Sequence, residues 1–187
     1  MYQEKLLALI RHNKELAEIF TILGPFHLPA LTICAGTIRD LVWNDKLHQH
    51  QSLKLGDINV YYNDPGQTYE DFLILLEQLN QQHSRYLWNL NNIALPVRHE
   101  TQRHFHDSIE KTIADFPEKC TCVGVQKDNT GRYRILAPYG LNDLFELKVQ
   151  PSPNYEPHKP GFARYQNRLA LKHWQDHWPE LKIADAK

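Results

Sequence analysis

The residues best suited to chemistry lie between Ile33 and Asp64, in ICAGTIRDLVWNDKLHQHQSLKLGDINVYYND. Gly36 and Thr37 stand just before a helix-forming stretch. A turn of this kind lets backbone N–H groups and a hydroxyl approach a phosphate, and the helix N-terminus adds partial positive charge. A lone Gly-Thr pair is more often an ordinary strand-to-helix turn. What raises it is GDINVYYND, whose alternation places Ile58, Val60 and Tyr62 on one strand face and Asp57, Asn59 and Tyr61 on the other, presented outward. A carboxylate on that face can ligate a divalent cation that bridges phosphates.

Several elements must position these residues. Leu6, Leu7, Ile10, Leu16 and Ile19 predict one N-terminal scaffold helix over residues 1–24, stopped at Gly24-Pro25. LTICAG reads as a short strand ending in a glycine turn, and TIRDLVWNDKLH as the helix after it. TYEDFLILLEQLNQQ is a helix, RYLWNLNNIAL a strand, and DSIEKTIADF a helix capped by Asp107 or Ser108 and stopped by Pro117. CTCVGVQKDNTGRYRILAPYG predicts an edge hairpin around Asp128–Gly131, with Cys120 and Cys122 as same-face strand neighbours. LNDLFELKVQP is a short helical or extended element, and PSPNYEPHKPG a proline-rich loop. A C-terminal helix is expected over 162–183, with Phe162, Tyr165, Leu169 and Trp174 on its inner face. Interleaved strands and helices give an α/β or α+β class: one domain over 1–187 with a mixed sheet flanked by helices.

Composition narrows the partners. Lys and Arg number 21 against 22 Asp and Glu, a formal charge of −1, so no overall field draws the chain to nucleic acid or a membrane surface. Three cysteines without zinc-finger spacing suit reduced, buried thiols. The charged, amphipathic N-terminus argues against a signal peptide or membrane span, and a cytoplasmic protein is expected.

AGTIRD followed by GDINV resembles the G-[GS]-x-x-R-D and D-x-D signature of the DNA polymerase beta type nucleotidyltransferase superfamily, which includes the enzymes that add CCA to transfer RNA. With WNLNN, APYGLNDLFELKVQP, R-x-x-x-K-x-W and WPEL, the chain from about Leu28 to Ile183 is similar to a family of small bacterial nucleotidyltransferase-like proteins. The resemblance implies a nucleoside triphosphate held at the glycine turn, and two magnesium ions on strand carboxylates that activate an acceptor hydroxyl and release pyrophosphate. Carried over by position, Gly36, Thr37 and Arg39 bind nucleotide, and Asp57 and Asn59 are the catalytic and metal positions. Asp40, Asn92 and Asp143 are structural supports, Asp40 through an ion pair with Arg39 that outranks direct nucleotide contact by Arg39.

The departures fall on polar positions. The family writes D-I-D where this chain writes Asp57-Ile58-Asn59, and RYLWNLNNIAL holds no carboxylate to serve as the third ligand. After the tryptophan, N-Q-A-R-M-H is matched by Asn92 and Ala94 but not by Ile93, Leu95, Pro96 or Val97, with Arg98 or His99 as shifted replacements. Asn142 stands where the family tends to aspartate. The expectation is a divergent member with magnesium weakly bound or absent and transfer weakened or lost, a pseudoenzyme. The alternatives are an active magnesium-dependent enzyme with an unknown hydroxyl acceptor, or a non-catalytic protein-interaction module.

Other groups favour plainer readings. His99, His104 and His106 suit a loop better than a zinc site. Trp174 and Trp178 suit the core better than a base-stacking platform, and Arg132 and Arg134 suit a solvated edge strand. There is no Gly-x-Ser-x-Gly elbow.

Overall fold

A computed structural model describes residues 1–49, 51–96 and 106–184. Five strands form one mixed sheet in the order β3-β2-β1-β4-β5, comprising β1 (Thr32–Cys34), β2 (Asp57–Tyr62), β3 (Leu87–Asn92), β4 (Gly124–Lys127) and β5 (Tyr133–Leu136). Only β2 and β3 run parallel, joined by the crossover helix α4 (Tyr69–Gln82); the other neighbours are antiparallel. Ile33 pairs with Val60, and Val60 with Leu90, so the strands predicted from LTICAG, GDINV and WNLNN lie side by side.

The β2 alternation puts Ile58, Val60 and Tyr62 in the main core, all at 0 % exposure. Beneath them pack α1 (Tyr2–His12), α2 (Lys14–Leu23) and α3 (Gly36–Lys46), supplying Leu6, Leu16, Ile38 and Trp43 among others. Tyr62 donates its hydroxyl to Gln67 Oε1 at 2.6 Å, and burial pushes its pKa up to about 12. The opposite face is only partly outward. Tyr61 is buried against Phe116, in a second cluster with Cys34, Ile109 and Ile113 under α5 (Ile109–Ala114). A Cβ on Gly124 would lie 2.6 Å from Ile113 Cδ1, so glycine lets α5 sit directly on β4. The exposed part of that face is the end of β2 where Asp57 and Asn59 emerge.

Three expectations need correction. The N-terminal helix is two helices: Asn13 leaves the helical conformation and its side chain caps α2 by accepting from Leu16 N at 2.7 Å. Cys120 and Cys122 are buried around a 3-10 turn at Lys119–Thr121 rather than on a strand. The C-terminal helix over 162–183 divides into α7 (Phe162–Lys172) and α8 (Trp174–His177) at left-handed His173, and ends in β7 (Lys182–Ile183), which pairs with β6 (Lys148–Val149) after α6 (Asn142–Phe145). His99, His104 and Arg98 lie outside the described residues, while His106 Nε2 sits 3.4 Å from Asp115 Oδ2. Among the described residues no helix is long and apolar enough to cross a membrane.

Candidate functional site

The chain leaves β1 through Ala35, whose φ of 53° and ψ of −127° form the sharp turn into α3. Its N–H is tied to Val123 O at 3.0 Å, and Gly36 then opens the helix. The first N–H groups of an α-helix have no partner inside it, so those of Gly36, Thr37 and Ile38 are available at this end. A Cβ on Gly36 would stand 3.4 Å from Asn59 Nδ2, which shows how closely the turn approaches β2. Thr37, whose hydroxyl was expected to meet phosphate, is 3 % exposed as a residue; the hydroxyl donates to Asp57 O at 3.0 Å and accepts from Asn59 N at 2.8 Å. It braces α3 against β2, and only the Thr37 N–H is left for a ligand.

Asp57 is exposed at the start of β2. Asn59, two residues on, has both ends of its amide occupied. Its Nδ2 donates to Asp57 O at 3.1 Å and to Thr37 Oγ1 at 3.3 Å, and its Oδ1 accepts from Asn89 Nδ2 at 2.7 Å. Asn59 and Asn89 are register partners on β2 and β3, and Asn91 Nδ2 continues the amide chain to Asn89 O at 3.0 Å. The strand beside Asp57 therefore offers neutral amides, already paired with each other, where the sequence lacked a carboxylate. Among the described residues no cluster of three or more His, Cys, Asp or Glu side chains is placed to hold a metal ion. One carboxylate with two mutually bonded amides does not fit a two-magnesium centre.

Arg39 and Asp40 form the expected ion pair, Nη2 to Oδ1 at 2.7 Å. The Arg39 guanidinium lies between Trp43 and Trp174, 4.9 and 4.6 Å from the ring centroids. Trp174 and Trp178 are core residues, and Trp178 Nε1 donates to Asn44 Oδ1 at 2.9 Å. Asn92 holds the Asp64 turn through its amide, donating to Asp64 O at 2.8 Å and accepting from Asp64 N at 3.0 Å. Asp143 sits in α6 with Oδ2 buried and no hydrogen-bond partner among the described residues. Neither Asn92 nor Asp143 reaches the cleft.

That cleft, about 480 Å³, opens between the Gly36 turn, the Asp57 end of β2 and β3, and one face of α7. Its volume is in the range of small-molecule sites. Sequence reasoning missed Asn89 on the floor and the α7 wall of Arg164, Arg168 and Lys172. The signal for the wall was present: R-x-x-x-K-x-W begins at Arg168, and Arg164 stands one turn earlier at the same helical spacing.

A family profile described as Nucleotidyltransferase matches residues 21–183, most of the chain. The chain belongs to this nucleotidyltransferase family. A solved NMR structure described as a CCA-adding enzyme head domain superposes with a TM-score of 0.86 at 27% identity, covering 98% of this chain and 96% of that one. An apo CCA-adding enzyme aligns at a TM-score of 0.61 and 16% identity, covering 97% of this chain and 42% of its own. A CCA-adding enzyme from Thermotoga maritima complexed with tRNA aligns at 0.56 and 14%, covering 98% of this chain and 42% of its own. These two show a shared fold, and this chain spans less than half their length. No curated protein sequence matches the chain.

In this family member the cleft is electrostatically mixed. Four Lys and Arg side chains line it against three carboxylates. Arg168 is bound by Glu118, a carboxylate at 0 % exposure, with Nε to Oε1 at 2.6 Å and Nη2 to Oε2 at 3.3 Å. Thr121 Oγ1 adds a bond to Glu118 Oε2 at 3.0 Å. Such a buried pair fixes α7 in place, because breaking either side leaves a charge uncompensated.

Proposed function

We propose that this family member binds a nucleoside triphosphate in the cleft, with its phosphates toward the Gly36 turn and α7, and that two-metal nucleotidyl transfer is weakened or lost. The observation that carries the reading is the Asn59–Asn89 hydrogen bond, an amide pair spanning β2 and β3 beside Asp57, the one carboxylate on those two strands. Two-metal transfer needs several anionic ligands to hold its cations and to activate a hydroxyl. Asp57 alone suits at most one weakly held magnesium ion. The parts that remain are binding parts. The α3 N-terminus offers N–H groups without helical partners, Thr37 locks their distance from β2, and Arg39, paired with Asp40, packs between two tryptophans to hold the helix.

The reading is tested by pyrophosphate release from labelled nucleoside triphosphates with cell-extract acceptors, alongside direct binding. Nucleotide binding without Asp57-dependent release is expected. Release that disappears in Asp57→Ala would identify a working transferase in which Asn59 is tolerated.

A further inference from the structure

We propose that the polyphosphate of the bound nucleotide is neutralised by side-chain cations on α7 rather than by metal ions, with Lys172 as its main contact. This rests on the nucleotide-binding reading above and adds the groups that hold the charge. Arg164, Arg168 and Lys172 recur every fourth residue, share one face of α7 and all line the cleft. Their commitments differ. Arg168 is spent on buried Glu118 and serves as a strut. Arg164 is oriented over the Tyr155 ring, 6.0 Å from its centroid, with Nη1 3.5 Å from the Tyr155 hydroxyl. Lys172 is exposed at the last turn of the helix and has no ion pair among the described residues.

An exposed lysine at a helix C-terminus ordinarily serves only to complement the helix dipole. Lys172 is distinguished by its place in a cleft whose floor has given up charge. With neutral Asn59 and Asn89, and with the Arg39–Asp40 and Arg168–Glu118 pairs internally neutralised, Arg164 and Lys172 face the carboxylates of Asp57 and Asp115. Were both amides carboxylates the cleft would become net negative, and metal cations would be needed to admit a polyphosphate. The amides and the α7 row are therefore two halves of one arrangement. A lysine ammonium suits such a site as a mobile point charge with three donors.

The test is calorimetry on the full chain with ATP, CTP and inorganic tripolyphosphate, in EDTA and in excess magnesium. The variants are Lys172→Ala and Lys172→Arg, with Lys14→Ala, an exposed position on α2 away from the cleft, as control. Expected are binding of a triphosphate and tripolyphosphate in EDTA, a roughly tenfold loss in Lys172→Ala, retention in Lys172→Arg, and no change in Lys14→Ala. Excess magnesium should weaken binding by competing for phosphate charge. Equal affinity in Lys172→Ala, or binding that requires magnesium, overturns this inference and leaves nucleotide binding intact. If neither ATP nor CTP binds the unmodified protein under either condition, the nucleotide reading fails and this inference with it.

Discussion

Asn59 and Asn89 face each other across β2 and β3, and Asn89 Nδ2 donates to Asn59 Oδ1 at 2.7 Å. Asn59 spends its own Nδ2 on Asp57 O and Thr37 Oγ1. In Asn59→Asp that second set is lost, and a carboxylate oxygen is turned toward the Asp57 carbonyl and the Asp57 charge. The variant should be less stable than the parent by about 1–3 kcal/mol without divalent ions, the cost of an unsatisfied or repelled polar group. Millimolar magnesium should recover part of this, seen as a rise in thermal midpoint absent from the parent. Turnover should stay near background, because Asn89 still supplies no charge. Equal stability of the two proteins in EDTA would show that the amide bonds contribute nothing.

Thr37 allows the brace to be separated from ligand contact. Thr37→Val removes the hydroxyl that joins Asp57 O to Asn59 N, and should cost about 1–3 kcal/mol by denaturant titration. Thr37→Ser keeps the hydroxyl and should lose less than about 1 kcal/mol with nucleotide affinity unchanged. A valine variant of parental stability that has lost affinity would instead make the hydroxyl a phosphate ligand.

Ala35 occupies a backbone position that suits glycine, with φ of 53° and ψ of −127°. Strain of this kind costs about 1–3 kcal/mol, against which glycine loses about 0.5–1 kcal/mol of chain entropy. Ala35→Gly should therefore stabilise the protein by about 1 kcal/mol, raising its thermal midpoint. A lowered midpoint would mean that the alanine methyl makes compensating contacts.

The turn of the β4–β5 hairpin carries a pH signature. Asp128 accepts from Thr130 Oγ1 at 2.6 Å, Arg132 N at 2.9 Å and Thr130 N at 2.8 Å, and these bonds hold its carboxyl at about 2 instead of the ordinary 3.8. A depressed folded value means that the turn's stabilisation is complete above the unfolded value and is lost as pH falls through about 2. Carboxyl titration by NMR should show Asp128 still ionised at pH 3. Thr130→Ala should raise its midpoint, since the Thr130 hydroxyl is the largest contributor.

Much of this was legible in the sequence because it rests on local periodicity. The two-residue alternation of GDINVYY placed Ile58, Val60 and Tyr62 in the core, and the turn chemistry of Asp128–Gly131 marked the hairpin. The order of strand, glycine turn, helix and second strand is as read, and it sets Gly36 and Asp57 on one cleft, with Asn59 closest to the glycine. The breaks at Asn13 and His173 were hidden because both fall inside amphipathic patterns that read through them; only a capping bond in one case and a left-handed backbone in the other reveal the interruption. Asn89 was invisible as a site residue for a different reason. Its importance comes from the β2–β3 register, which sequence spacing does not fix across a crossover helix. The resemblance implies a phosphate contact for Thr37, whereas the burial of its hydroxyl depends on how closely α3 packs on β2.

The most direct test of the account is a crystal structure with a non-hydrolysable nucleoside triphosphate and manganese, the metal located by its anomalous signal. The account predicts phosphates between the Gly36 turn and the α7 row, the Asn59–Asn89 hydrogen bond intact, and no pair of metal ions between Asp57 and the phosphates. Two manganese ions bridging Asp57 and Asn59 to the triphosphate, with the amide pair opened to ligate them, would contradict it.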